Sequence, residues 1–176
     1  MTRADSAETL RTLAQLGLAF LVIGSAGVAL LHKERFALAR ITDVDLLVRP
    51  EELDRWARAL ENMGAAVTSW GEPFERARAE QNLRGRFYIR ATLASGLQLD
   101  LTYESSTLEL EQLLPNARWV DKIPVCPEVD LWFSKALRDP ERALRFAREH
   151  EVEIPAEALE RVYAALRNRS PDRGNE

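Results

Sequence analysis

Apolar residues follow two rhythms along the first third of the chain. Leu10, Leu13, Ala14 and Leu16 share one face of a helix predicted over Ser6 to Leu16. The run "AFLVIG" is continuously apolar and ends in glycine, the pattern of a short buried strand. "SAGVALLHKERF" then predicts a helix that opens at the Gly24-Ser25 turn, and "DVDLLV" a second strand. "PEELDRWARALENMG" predicts a further helix, with Pro50 near its start, Glu51 and Glu52 in its first turn and Gly64 at its C-cap.

Further along, "AAVTSW" predicts a strand, and the polar stretch 71–82 a loop or a short helix. "RGRFYIRATLA" and "GLQLDLTYE" predict a hairpin turning at Ser95-Gly96. Its second half alternates, with Leu97, Leu99 and Leu101 on one face and Gln98, Asp100 and Thr102 on the other. Ser106 with Glu109 offers a capping box for a helix over "TLELEQLLPNA". From Pro127 to Asn168 the pattern predicts three helices, divided at Pro140 and Pro155, followed by a polar tail. The order of elements predicts an α+β fold, a mixed sheet flanked by helices with a C-terminal helical segment. Residues 1–126 would form the α+β domain, 127–168 helices packed on it, and 169–176 a flexible tail.

Composition narrows the class. A length of 176 residues suits one domain, and 46% apolar with 30% charged residues is a globular balance. The longest apolar run is interrupted by Gly17 and Gly24, which predicts no membrane span. The N-terminus "MTRADSAETL" has no apolar core, so no signal peptide is expected. The single cysteine, Cys126, excludes an intrachain disulfide, and a cytoplasmic protein is the simplest expectation. A net charge of −4 argues against a surface that grips nucleic acid as a whole. The local basic stretch "RARAEQNLRGRFYIR" reads most simply as a solvated face.

The candidate chemistry begins with Asp43 and Asp45. Residues two apart on a strand point to one face, about 7 Å apart. Both carboxylates can then aim at one point while Val44 packs the other way. Asp100 lies on the polar side of another strand, and neighbouring strands would bring three carboxylates together. Such a group repels itself unless a cation compensates it, and oxygen ligands suit Mg²⁺ or Mn²⁺. An ion there would hold a triphosphate and activate an attacking hydroxyl. The Gly24-Ser25 turn fits this, because a strand that opens a helix at glycine leaves backbone N–H groups free for phosphate. The spacing is neither a dinucleotide fingerprint nor a P-loop.

Taken together, "GSAGVALLHKERFALARITDVDLLV" and "LQLDLTY" resemble the nucleotidyltransferase superfamily of the DNA-polymerase-β type. Within it, the pattern resembles AbiEii-type and related bacterial proteins, some of which are toxins of toxin–antitoxin systems. The resemblance implies catalytic and metal-binding roles for Asp43, Asp45 and Asp100, and phosphate contacts from Gly24 and Ser25. It implies Mg²⁺ or Mn²⁺ as cofactor and a nucleoside triphosphate as substrate. The acceptor would be tRNA, a protein or a small molecule, and a cognate antitoxin or partner protein would follow from the toxin–antitoxin setting. "VDLWFSKALRDPERALRF" partly matches the family's later helix, where Lys135 would reach a phosphate and Arg138 stands nearby. The acidic residue expected after the basic pair is matched only loosely, by Glu141.

Each of these residues also has a plainer reading. Asp43 and Asp45 could cap backbone groups at a strand edge, Lys135 could be a surface lysine, and Arg40 pairs equally well with an aspartate, a phosphate or a surface partner. His32 reads as solvated, Cys126 as a small apolar residue, and Trp56, Trp70, Trp119 and Trp132 as core or cover. Two functions from different classes follow. One is a transferase that moves a nucleoside monophosphate to an acceptor hydroxyl. The other is a non-catalytic binding or antitoxin-like module on the same scaffold.

Overall fold

The computed structural model describes residues 6–36, 41–75, 88–102 and 107–169. The first half runs α1 (Ser6–Ala14), β1 (Phe20–Ile23), α2 (Gly24–Leu31), β2 (Asp43–Val48), a 3₁₀ turn (Pro50–Glu52) and α3 (Leu53–Asn62). It continues through β3 (Ala66–Ser69), β4 (Glu72–Pro73), β5 (Tyr88–Thr92) and β6 (Gln98–Thr102). The second half comprises α4 (Leu110–Leu113), a 3₁₀ turn (Leu114–Asn116), β7 (Arg118–Val120), β8 (Ile123–Val125), α5 (Glu128–Arg138), α6 (Pro140–Glu149) and α7 (Ala156–Arg169). The strands form one mixed sheet in the order β4-β3-β5-β6-β2-β1-β8-β7. The predicted α+β architecture is therefore observed.

The two faces of the central strands differ, and the difference follows from the period of two. Val44, Leu46 and Val48 of β2 are fully buried, and Phe20, paired with Val48, shares their face. On that side Phe20 meets the fully buried Trp56 of α3 edge-on, with ring centroids 5.7 Å apart. Asp43 and Asp45 point to the other face. There α2 packs beside β2, and α5 packs on α2. Gly27 makes the second contact possible, because a Cβ at this position would lie 3.1 Å from the Leu131 side chain of α5. The helices α6 and α7 pack in turn on α5.

The β5–β6 hairpin turns at Gly96, whose φ of +85° glycine tolerates, and Gly96 N–H donates to the Leu93 carbonyl at 2.8 Å. The three C-terminal helices begin and end near the expected prolines. Asp139 caps α6 by accepting from the Arg142 N–H at 2.9 Å, with Pro140 in the first turn.

Three local expectations change. The helix from Gly24 stops at Leu31 instead of reaching Phe36, and His32 follows in a non-helical conformation. Glu72 and Pro73, in the stretch expected to be loop or helix, form a two-residue edge strand on β3. The helix expected over "TLELEQLLPNA" is a single turn beginning at Leu110, with Glu109 extended just before it. Ser106, the other half of that capping box, lies outside the described residues. Pro115 has no N–H to continue the ladder, and the chain tightens into the 3₁₀ turn. The β7–β8 hairpin stands where the sequence pattern assigned no element. Its two-residue turn, Asp121-Lys122, has positive φ at both positions, the backbone form that suits tight hairpins. "DK" is not the usual residue pair for that turn, and Pro124 within β8 argues against a strand. Arg169 is the last residue of α7, and 170–176, most of the expected tail, lie outside the described residues.

Candidate active site

The site is built around the end of β1. Ile23 is extended, and Gly24 turns the chain into α2 with φ +64°. A Cβ at Gly24 would lie 2.3 Å from the Oδ2 atom of Asp45, so glycine is required twice, for its φ and for the space. Asp45 pairs with Ile23 across the β1–β2 ladder, which seats its carboxylate against the first residue of α2. The first turn of α2 has no acidic residue and no side-chain cap. Its N–H groups and the positive end of its dipole face the same region.

Across the sheet, one row of paired residues runs Thr68, Arg90, Asp100, Asp45 and Ile23. Paired residues on adjacent strands point to the same face, so Asp100 stands beside Asp45 at about the 4.8 Å strand spacing. Asp43 lies one step along β2 on that face and is exposed. Asp45 is half-buried. Burial, then the charges of Asp100 and Asp43, push its carboxyl up to about 6, while Arg138 and Lys135 pull it down. Among the described residues its carboxylate has no hydrogen bond or ion pair. Asp100 is different. Arg90 on β5 grips it with a two-point fork, Nε to Oδ1 at 2.7 Å and an amino nitrogen to Oδ2 at 2.6 Å.

A second cluster approaches from α5. The Lys135 ammonium donates to the Ser25 hydroxyl at 3.0 Å and lies 4.1 Å from the centre of the Phe146 ring. Burial holds this ammonium below the ordinary lysine value, and Arg142 and Arg138 add to that while Asp45 opposes it. Gly24, Ser25, Asp43, Asp45, Asp100 and Lys135 thus gather in one region, and Arg40 lies outside the described residues. Arg90 was missed by the sequence reading. Its signal was available only through register, since it pairs with Asp100 across a hairpin whose turn was recognised.

The remaining candidates separate. His32 is half-buried and bonded to Glu128 through Nε2 at 2.6 Å, so it is not the solvated residue expected from its charged neighbours. Trp56 and Trp132 are fully buried, whereas Trp70 and Trp119 are 54% and 66% exposed. Cys126 is buried, and burial pushes its thiol up to about 12, which leaves it without nucleophilic character.

The donor set can be tested against a divalent ion. Asp45 is a carboxylate short of compensating charge, with Asp43 beside it, and hard oxygen donors of this kind suit Mg²⁺ or Mn²⁺. Asp100 already spends both oxygens on Arg90. Among the described residues, no group of three His, Cys, Asp or Glu side chains is disposed to hold a metal ion. The fit is therefore to a two-carboxylate site at Asp43 and Asp45.

This architecture recurs in solved structures. The antibiotic-resistance factor ANT(2'')-Ia, known from its solution structure, matches with a TM-score of 0.54 at 18% identity, covering 94% of both chains. A tRNA-processing enzyme in an apo form matches with a TM-score of 0.50 at 16% identity. That match covers 96% of this chain and 48% of the enzyme, so this chain spans about half the enzyme's length. No family model and no curated protein matches the sequence. The shared architecture is an α+β fold with one mixed sheet flanked by helices. Among the described residues, no helix is long and apolar enough to cross a membrane.

Proposed function

We propose that this chain is a metal-dependent nucleotidyltransferase, which moves a nucleoside monophosphate from a nucleoside triphosphate to an acceptor hydroxyl and releases pyrophosphate. The observation that carries the reading is Asp45: a half-buried carboxylate without a hydrogen-bonded or ion-paired partner among the described residues, seated on the glycine that opens α2, with Asp43 and Asp100 on the same face. Keeping such a charge is costly unless a cation completes it. Mg²⁺ or Mn²⁺ at Asp43 and Asp45 would neutralise triphosphate charge and polarise the α-phosphorus.

The chain's own groups account for the rest. The N–H groups of the α2 first turn and the Ser25 hydroxyl meet phosphate oxygens, and Lys135 brings positive charge to the same hydroxyl. The acceptor hydroxyl oxygen bonds to the α-phosphorus as the bond to the bridging oxygen breaks, and pyrophosphate departs with that electron pair. The hydroxyl proton passes to Asp100, the carboxylate next in the row. The acceptor is an RNA, a protein or a small molecule. Of the structural neighbours, one is named for antibiotic resistance and one for tRNA processing, and neither name fixes the acceptor here.

A non-catalytic binding or antitoxin-like module is the second reading, favoured by the Arg90 fork that already neutralises Asp100. The two readings part in a labelling experiment. The protein is incubated with each α-labelled nucleoside triphosphate, Mg²⁺ and cell extract, and the transferase reading expects a labelled RNA, protein or small product. In a toxin–antitoxin pair, the purified partner suppresses that label. No label with any of the four nucleotides would leave the non-catalytic module.

A further inference from the structure

The Arg90 fork has a consequence for how many carboxylates an ion can use. Arg90 and Asp100 are cross-strand partners on β5 and β6, so the clamp is built into the register of the sheet. Both Asp100 oxygens carry a charge-assisted hydrogen bond of 2.6 to 2.7 Å, which is the strong, geometrically specific form of this contact. The Asp100 side chain is only 16% exposed, so little water competes for it. One strand over, Asp45 has no such partner among the described residues. Adjacent carboxylates on one face have therefore been given different counter-charges: a directly bonded guanidinium for Asp100, and for Asp45 only the charges of Lys135 and Arg138 without a direct bond.

We infer that Arg90 is a positioning residue that keeps Asp100 out of the metal's coordination shell, so that the site takes a single divalent ion on Asp43 and Asp45. This rests on the proposed metal-dependent function and deepens it. A guanidinium in the row acts on metal binding in two ways. It occupies the oxygens a second ion would need, and its charge repels a cation held at Asp45. The two-point grip also fixes the orientation of the Asp100 carboxylate beside Asp45. A lysine at position 90 would supply the charge without the planar two-point grip.

The test measures Mn²⁺ binding through the electron paramagnetic resonance signal of free Mn²⁺, so it does not depend on turnover. Wild type is expected to bind one Mn²⁺ per chain. Arg90→Gln frees Asp100 and removes a positive charge, and should tighten Mn²⁺ binding by about tenfold. The charge-neutral double variant Arg90→Gln/Asp100→Asn deletes the pair together and should return the affinity to within about threefold of wild type, since the pair contributes no ligand. Arg90→Lys should fall between wild type and Arg90→Gln. Melting in chelator checks that each variant is folded. Unchanged or weaker binding in Arg90→Gln would show that Arg90 keeps no ligand from the ion, and a larger loss in the double variant would make Asp100 a ligand; either result overturns the inference while leaving the metal site standing. Absence of Mn²⁺ binding in wild type and Arg90→Gln alike would overturn the metal site, and this inference with it.

Discussion

Leu46 and Asp45 are neighbours on β2, yet they belong to opposite faces of the sheet and to opposite sides of the energy balance. Leu46 is fully buried on the sheet face it shares with Phe20, Val44 and Val48, where its apolar surface stabilises the fold. Asp45 is pressed against Gly24 with its carboxyl held up at about 6, where its charge opposes folding. The sheet is anchored by one face and stores unfavourable charge on the other. That division lets a site be destabilised locally without loss of the domain.

The largest effect is expected on turnover. Asp45→Ala is expected to lower nucleotide labelling on the order of a thousandfold, because an ion ligand is worth most where charge develops in the transition state. The same variant should melt no lower than wild type in chelator. Label that survives the substitution would remove Asp45 from the chemistry.

On the opposite face the effect should appear in stability. Leu46→Ala removes a fully buried side chain and should cost about 3 kcal/mol in urea denaturation. If Leu46→Ala cost less than Asp45→Asn, the assignment of the two faces would be wrong.

Asp45→Asn sharpens the contrast through pH. The folded carboxyl titrates near 6 and the unfolded one near 3.8, so between those values the folded state holds more protons. Stability in chelator should therefore fall as pH rises from about 4 to about 6, and stay level above. Asn cannot ionise. Its gain over wild type should vanish below pH 4 and approach about 3 kcal/mol above pH 6. A gain that is independent of pH would rule out the Asp45 charge as its source.

The smallest effect is expected at Ser25→Ala, which removes the hydroxyl that Lys135 donates to. About 1 kcal/mol of stability should be lost. Labelling should weaken far less than in Asp45→Ala, and a loss as large as that of Asp45→Ala would move Ser25 from phosphate contact to the reacting centre.

Much of the first half was legible because its signals are local. The glycine after "FLVI", the period of two in "DVDLLV" and the Ser95-Gly96 turn each act over a few residues, and β1, β2 and the β5–β6 hairpin form where those signals lie. The β7–β8 hairpin was not legible. Its turn uses Asp121-Lys122, and β8 carries a proline opposite Trp119 that is tolerated within a strand of three residues. The single-turn α4 was overextended in the reading, since capping residues cannot show that Pro115 will end the helix so soon.

The sequence by itself determined that Asp43 and Asp45 share a face, because alternation along one strand needs no other part of the chain. It also determined that a glycine stands where β1 turns into α2. Only the tertiary structure decided that β6 runs parallel to β2 in the register that sets Asp100 beside Asp45, that β5 then delivers Arg90 to Asp100, and that Lys135 reaches Ser25 across 110 residues. Register is chosen by the burial of whole faces, such as Leu99 and Leu101 against Val44 and Leu46, and a slip of one residue would turn every one of these side chains to the other side.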